Sequence, residues 1–179
     1  LPFTIRSGNI YHIKTTGNNS TGNGSWSNPW STLDYVGSGG GGSVSAGDII
    51  YANDGVQETD GFRVGTSCSS SIDGTSTNPI SVIVYPGAMV LAQGNSGYGI
   101  GNHCSMNKFW NFAKFVVKTN DTGITTFKGM RAVANEITNY PSGCADGQGG
   151  AIAGGGAFGD TVSGVKAFRN YKHNIGCDT

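Results

Sequence analysis

The chain of 179 residues contains few of the residues that favour long helices or bind polyanions. Leucine occurs three times and glutamate twice, so little helix is expected. Eleven basic residues are balanced by eleven acidic ones, which leaves no excess of positive charge for nucleic acid or an anionic membrane surface. No apolar run is long enough to span a bilayer. The sequence therefore predicts neither a nucleic-acid partner nor a membrane span.

Turn-forming and strand-forming residues are abundant instead. Glycine accounts for 31 residues, and Asn, Ser, Thr and β-branched or aromatic residues are frequent. This balance predicts many short strands joined by tight turns in a single domain, 1–179. The stretch "AGDIIYANDG" (46–55) is an example, with strand formers between Gly–Asp and Asp–Gly turns. Alternation places Ile49 and Tyr51 on one face of this strand and Ile50 on the other.

The first part of the chain predicts a strand, a polar loop and a short helix. Residues 10–14 alternate, so Ile10, His12 and Lys14 share one face. Asn28 is expected to cap a helix of about two turns that starts at Pro29. The run "GSGGGGS" (37–43) ends this helix and is expected to be a flexible connector.

A weak internal repeat lies in the second half of the chain. Residues 130–135 can be aligned with residues 165–170, and the same register places Asn139 over Asn174. Both copies alternate apolar residues and then carry an asparagine. This pattern is typical of stacked coils in a solenoid.

Three stretches carry a family resemblance. They are "TGNNSTGNGSWSNPWSTL" (16–33), "AGDIIYANDGVQETDGF" (46–62) and "NPISVIVYPGAMVLAQG" (78–94). In order, they resemble the loop with its capping helix, the first rung and the next rung of right-handed parallel β-helix proteins of the pectate-lyase-like superfamily, in the N-terminal part of that fold. The resemblance runs over about residues 9–178.

The resemblance implies an all-β fold, a right-handed parallel β-helix (solenoid) with a short N-terminal capping helix. The strand, loop and cap would occupy residues 9–45 and the coils residues 46–179, with the 46–55 strand paired in parallel to strands one coil away. Glycines shorten the helix relative to the family, so something else, such as another chain, is expected to cover that end. The chain starts without Met and stops as another rung begins, which suits a mature protein or one piece of a longer chain.

The four cysteines have three interpretations. If the repeat is real, Cys144 and Cys177 lie on neighbouring coils at a spacing that suits a disulfide, which leaves Cys68 and Cys104 as the other pair. The alternatives are free thiols or a metal site, although no CxxC motif is present. An exported chain would pair its cysteines and a cytoplasmic one would keep them reduced.

Candidate catalytic residues follow from the resemblance, since lyases of this superfamily generally hold calcium with carboxylates and use a Lys or Arg base. Basic candidates and isolated aspartates along the later rungs are Arg131, Lys166, Arg169 and Lys172, with Asp121, Asp146, Asp160 and Asp178. Lys172, His173 and Asp178 form the densest cluster, and Asp146 and Asp178 are the calcium candidates. The alternative is that these charges are solvated face residues and that His173 is bonded to backbone in a turn. Whether the protein is an enzyme stays open, as does whether any cofactor is needed.

The sequence therefore favours two functions. The first is an extracellular protein that binds or processes polysaccharide, as a polysaccharide lyase or glycoside hydrolase if it is an enzyme, with Trp110, Tyr140 and Tyr171 as candidate sugar-stacking residues. The second is a non-catalytic structural or adhesive subunit, such as a tailspike-like, surface or filament protein, that contacts copies of itself through its coil ends. Glycosylation sequons occur at Asn18, Asn19, Asn23 and Asn120 and suit a secreted protein or a cell or virion surface.

Overall fold

In the computed structural model, the described residues are 8–59, 61–65, 72–94, 99–102, 107–119, 122–126, 128–139, 152–154 and 163–173. They form fifteen strands, one α-helix and one 3₁₀ helix. The helices are α1 (Leu33–Gly37) and the 3₁₀ helix Gly40–Gly42. The strands are β1 (Ile10–Ile13), β2 (Ile49–Ala52), β3 (Gln57–Glu58), β4 (Phe62–Val64), β5 (Ile80–Val84), β6 (Leu91–Gly94), β7 (Ile100–Asn102), β8 (Trp110–Ala113), β9 (Val116–Thr119), β10 (Ile124–Thr126), β11 (Arg131–Val133), β12 (Glu136–Asn139), β13 (Ile152–Gly154), β14 (Lys166–Phe168) and β15 (Tyr171–His173).

The strands form three sheets, and every paired strand is parallel to its neighbour. Sheet A has the order β1-β2-β5-β8-β11-β14, sheet B the order β15-β12-β9-β6-β3, and sheet C the order β13-β10-β7-β4. From β2 onward the chain visits sheets A, B and C in turn, and each return adds one strand beside the previous one. The prediction of a mostly β chain with parallel strands and little helix is confirmed.

The strand in residues 46–55 pairs with strands on both sides. β2 is parallel to β1, with Ile49 opposite Ile10, and to β5, with Ile49 opposite Ser81. Ile50 is buried, whereas Ile49 and Tyr51 are only partly buried. The core face of this strand is therefore the Ile50 face, a point that alternation alone left open.

The core is formed by side chains in register on the inner faces of the sheets. Ile50, Val82, Phe112 and Ala132 are aligned across β2, β5, β8 and β11, and all four are fully buried. Buried residues of all three sheets belong to one hydrophobic cluster, which includes Val117 of sheet B and Ile100 and Ile124 of sheet C. This shared cluster joins the three sheets to each other.

The helix is shorter than the sequence suggests and starts later. Its N-cap is Thr32, whose side chain accepts a hydrogen bond from the N–H of Tyr35, so the expectation of an Asn28 cap and a start at Pro29 was wrong. The cause is Trp30, which forms an isolated parallel bridge with Ile13 and is buried. An extended Trp30 cannot belong to the first helical turn. None of the helices in the described part of the chain has the length and hydropathy needed to cross a bilayer.

The glycine run after the helix is structured, so the expectation of a flexible connector was also wrong. Gly37 ends α1 and its carbonyl accepts a hydrogen bond from Gly65 N–H. Gly40 is buried beneath the Trp30 ring, with a left-handed φ of 57°. Close packing against β4 and Trp30 is the reason for glycine at these positions.

The internal repeat corresponds to neighbouring strands of sheet A. β11 pairs with β14 so that Arg131, Ala132 and Val133 lie opposite Lys166, Ala167 and Phe168, the predicted register. The asparagines that follow are joined by their side chains, since Asn135 Nδ2 donates to Asn170 Oδ1 at 2.9 Å. Asn139 ends β12, but Asn174 lies outside the described residues.

Two-residue corners join sheet A to sheet B in the later part of the chain. They are Lys114–Phe115, Ala134–Asn135 and Arg169–Asn170. The first residue of each corner has a left-handed backbone, with φ of 66°, 54° and 51° respectively. A left-handed residue turns the chain sharply enough for the next strand to start at once.

Candidate functional site

An open groove of about 390 Å³ lies where three neighbouring strands of sheet A end. It is lined by residues 14–16 after β1, 53–54 after β2 and 85–88 after β5, and by Trp26 from the loop before α1. Because β1, β2 and β5 are parallel neighbours, their carboxyl ends lie at one edge, and the segments that follow them meet. We call this the Trp26 groove.

Trp26 is an exposed aromatic ring held in place by a cation. Its side chain is 55% exposed. Lys14 Nζ lies 3.2 Å from the ring centroid and donates a 2.8 Å hydrogen bond to the carbonyl oxygen of Trp26. The cation–π contact fixes the indole against β1 and leaves part of the ring open to solvent.

Further aromatic rings extend from Trp26 across the outer face of sheet A. Tyr85, which is 39% exposed, has its ring centroid 5.8 Å from that of Trp26, and Tyr51 is a further 5.6 Å from Tyr85. His12 meets Trp26 edge to face at 5.0 Å and stacks on Tyr51 at 5.9 Å. These separations are typical of favourable ring pairs.

His12 is held in its neutral form by this environment. Burial lowers the pKa of His12, and the nearby charge of Lys14 lowers it further. Its Nδ1 atom is buried and has no hydrogen-bond partner among the described residues. The ring therefore contributes apolar surface to the aromatic row and no positive charge at neutral pH.

Asn53 and Asp54 bring hydrogen-bonding groups to the groove. Asn53 Nδ2 donates to the carbonyl oxygens of Ile13 and Tyr51, at 2.9 and 3.2 Å, which orients the amide. Asp54 is exposed, and its Oδ1 accepts a 3.0 Å hydrogen bond from Met89 N–H. The groove thus combines aromatic faces with a fixed carboxylate, a fixed amide and the Lys14 ammonium, a set suited to a ligand with both apolar and hydroxyl-bearing surface.

The basic residues predicted from sequence lie outside the lining of this groove, on or next to β11, β14 and β15. Arg131 and Lys166 are direct register partners on β11 and β14, so two of the four basic candidates are side by side. Arg169 is exposed at a left-handed corner. Lys172 and His173 lie on β15, opposite Ile137 and Thr138 of β12.

The remaining predicted residues of the catalytic and metal clusters lie outside the described residues. They are Asp121, Asp146, Asp160 and Asp178. The four cysteines, at 68, 104, 144 and 177, also lie outside them, so both disulfide pairings stay predictions. Within the described ranges, no group of three or more His, Cys, Asp or Glu residues is arranged to hold a metal ion.

The candidate sugar-stacking aromatics have different surroundings. Trp110 is fully buried and its indole N–H donates to the carbonyl oxygen of Ile72 at 2.7 Å, so it belongs to the core and the stacking role proposed for it was wrong. Tyr171 is 68% exposed on β15. Tyr140 lies outside the described residues.

Three of the four glycosylation sequons lie in the described loop between β1 and α1. Asn18 and Asn23 are exposed, and the oxygen of each side chain accepts backbone N–H bonds from its own turn. Asn19 is more enclosed, because its amide donates to Thr32 Oγ1 and accepts from Ser31 N–H, both at 2.9 Å. Asn120 is outside the described residues.

Sequence reasoning missed the Trp26 groove because its residues are distant in sequence. Lys14, Trp26, Asp54 and Tyr85 come from four segments that only the parallel register of β1, β2 and β5 brings together. One signal was available. Asp54–Gly55 and Pro86–Gly87 are turn pairs directly after strands, and the ends of neighbouring parallel strands lie at one edge.

Comparison with known proteins gives similarity at the level of fold. No protein-family model and no curated protein matches the sequence. A crystal structure of a GH136 lacto-N-biosidase from Eubacterium ramulus has a TM-score of 0.60 at 13% identity, over 92% of this chain and 36% of that one. A rhamnogalacturonan lyase has a TM-score of 0.49 at 13% identity, over 92% of this chain and 51% of that one. The chain therefore spans between about a third and a half of the length of these proteins.

Proposed function

We propose that the chain is part of a right-handed parallel β-helix protein that binds carbohydrate through the Trp26 groove. The observation that carries the proposal is the exposed, cation-fixed indole of Trp26 beside Tyr85 and the carboxylate of Asp54. Pyranose rings have an apolar face that stacks on an aromatic ring and hydroxyls at the rim that need polar partners. The groove offers both kinds of contact.

The β-helix part of the proposal rests on the order of the sheets. Repeated visits to sheets A, B and C, each adding a parallel strand, are the connectivity of a solenoid. Parallel crossovers are right-handed in nearly all proteins, which supports that hand here. In the same proposal α1 is the cap, because it packs against β4, the strand at one edge of sheet C. The N–H of Asp34 in α1 also donates a hydrogen bond to the Glu58 carboxylate of β3.

The ligand class rests on the groove and is supported by the fold neighbour. The GH136 lacto-N-biosidase has a similar fold, and its name is that of a saccharide-processing enzyme. Fold alone carries little information on function. The stacking surface and the polar rim of the groove are therefore the stronger support.

Binding, rather than bond cleavage, is the activity proposed for the described residues. Glycoside hydrolysis generally requires a pair of carboxylates on either side of the scissile bond. Among the described residues lining the groove, Asp54 is the only carboxylate. Secretion, a calcium site at Asp146 and Asp178, and the two disulfides remain proposals that accompany an extracellular carbohydrate-binding protein.

The fluorescence of Trp26 provides the test. Trp30 and Trp110 are 1% and 0% exposed, so a ligand in the groove should change the emission of the third tryptophan alone. We expect a panel of neutral and acidic oligosaccharides to contain ligands that shift this emission and release heat in calorimetry. Trp26→Ala should weaken binding about thirtyfold or more, since truncating a central aromatic anchor costs about 2 kcal/mol or more.

Tyr171→Ala is the matched control, because it removes another exposed aromatic side chain away from the groove. The affinity of the Tyr171→Ala variant for each saccharide should equal that of the wild type. Failure of every saccharide to bind, or wild-type affinity in Trp26→Ala, would contradict the proposal.

A further inference from the structure

We infer that the Trp26 groove selects neutral saccharides over saccharides that carry a carboxylate. The inference rests on the proposed function and adds the charge class of the ligand. Three features of the groove support it: acceptor oxygens on Asn53 and Asp54, a Lys14 ammonium that is already engaged by Trp26, and a His12 ring whose pKa is lowered.

The first observation is the arrangement of acceptor oxygens. Asp54 Oδ1 accepts from Met89 N–H at 3.0 Å, while its Oδ2 accepts no hydrogen bond from any described residue. Both Asn53 amide hydrogen bonds are donated by Nδ2, which leaves Oδ1 without a donor in the described part of the chain. Two adjacent residues therefore present acceptors that need donors.

A sugar hydroxyl donates a hydrogen bond, whereas a carboxylate at neutral pH only accepts. Acceptors such as Asp54 Oδ2 and Asn53 Oδ1 are therefore satisfied by hydroxyls and left unsatisfied by a carboxylate. A hydrogen bond to a charged acceptor is also stronger than one between neutral groups. The chemistry of the acceptors favours a neutral, hydroxyl-rich ligand.

The second observation is that the groove offers an anion no net attraction. Lys14 is the one basic residue in the described lining, and its ammonium is held 3.2 Å from the Trp26 ring centroid and bonded to the Trp26 carbonyl. The charge of Asp54 opposes that of Lys14. His12, behind the indole, adds no positive charge because burial and Lys14 lower its pKa.

The test compares oligosaccharides of equal length and linkage that carry either a C6 hydroxymethyl group or a C6 carboxylate. We expect the wild-type chain to bind the neutral form about fivefold or more tightly at low salt, because two like charges a few ångströms apart in water repel by about 1 kcal/mol. The ratio should shrink as the salt concentration rises and screens Asp54.

Asp54→Asn is the informative variant, since its Oδ1 can still accept from Met89 N–H while the charge is lost. We expect this variant to lose the preference for the neutral form, because the repulsion by Asp54 is gone and the Lys14 charge is no longer opposed. Asp34→Asn is the matched control: Asp34 also accepts a backbone N–H, from Arg63 at 3.2 Å, but lies outside the groove. It should keep the wild-type ratio.

The outcomes separate the two proposals. Equal or tighter binding of the carboxylate form by the wild type, or an unchanged ratio in Asp54→Asn, overturns the inference of a neutral ligand and leaves carbohydrate binding in place. Absence of binding for both forms overturns carbohydrate binding itself.

Discussion

At the scale of single residues, Asn135 links the corners that follow β8, β11 and β14. Its Oδ1 accepts from Phe115 N–H at 3.0 Å, and its Nδ2 donates to Phe112 C=O at 3.2 Å and to Asn170 Oδ1 at 2.9 Å. The side chain is fully buried. One amide thus satisfies backbone groups at a sharp corner that the sheet ladders do not reach.

Asn135→Ala should therefore lower the free energy of unfolding by about 2–4 kcal/mol, because buried backbone groups lose their partners. Asn111→Ala is the comparison: Asn111 is partly buried and donates to Ser81 Oγ at 2.9 Å, and its Oδ1 has no hydrogen-bond partner among the described residues. That change should cost about 1 kcal/mol or less. Urea denaturation measures both, and equal losses would show that Asn135 has no special role at the corner.

His12 gives the chain a predictable dependence on pH. Its pKa in the folded chain is lower than the ordinary value of 6.5, with burial as the main cause and Lys14 as the second. Protonation thus favours the unfolded chain. Stability from this group is present above pH 6.5 and is lost as the pH falls through the lowered pKa of the folded state.

The test is to measure unfolding free energies from pH 8 down to pH 5 for the wild type and for His12→Phe, which keeps an aromatic ring against Trp26 and Tyr51. The difference in unfolding free energy between the wild type and His12→Phe should be constant above neutrality. As the pH falls, the wild type should lose stability relative to the variant. Parallel curves over the whole range would mean that His12 does not titrate differently in the folded chain.

At the scale of elements, α1 approaches β4 at a glycine. A Cβ on Gly37 would overlap the carbonyl oxygen of Arg63, and the Gly37 carbonyl accepts from Gly65 N–H at 2.9 Å. Gly37→Ala should push the helix off the sheet and cost about 2–4 kcal/mol.

Gly87→Ala is a useful control for this change. Gly87 has a φ of 80° and open space around its Cα, so alanine there meets only backbone strain of about 1 kcal/mol. Thermal or urea unfolding compares the two variants. A smaller loss for Gly37→Ala than for Gly87→Ala would show that helix–strand contact is not close in solution.

Local patterns predicted the strands better than the connections. The register of β11 with β14 could be predicted from the repeated residues themselves, whereas the parallel pairing of β2 was implied by the family resemblance. The helix start could not, since the Asn28–Pro29 signal is local whereas the bridge of Trp30 to Ile13 is a tertiary contact. The groove could not be found either, because Lys14 and Trp26 meet only after the loop between them folds back onto β1.

At the scale of the whole molecule, one core joins all three sheets. The hydrophobic cluster runs without interruption from Ile13 and Trp30, next to α1, to Ile137 of β12. Because the buried apolar residues of the described ranges form one cluster and not two, the chain should unfold in one cooperative transition.

Two tryptophans report on different parts of this core. Trp30 lies near α1 and Trp110 on β8, and both are buried. Two variants each retain one of these tryptophans and carry phenylalanine at the other two tryptophan positions. In each variant, the melting midpoint from fluorescence should equal the midpoint from the β-sheet signal in circular dichroism. Midpoints that differ between fluorescence and circular dichroism would indicate that the early and late strands unfold separately.

The two-residue corners between sheets A and B limit where residues can be inserted into or deleted from such a chain during evolution. Asn135 lies 20 residues after its partner Phe115 but 35 residues before its partner Asn170, so the spacing of stacked residues varies while the corner stays the same. Codons gained or lost in the other connections alter a loop and leave the stack intact. A single codon gained within Ala134–Asn135 would displace the buried amide and turn every residue of the next strand to the opposite face. Insertions should therefore accumulate in the other connections, whose length can vary, and should be rare in the two-residue corners, whose length is constant.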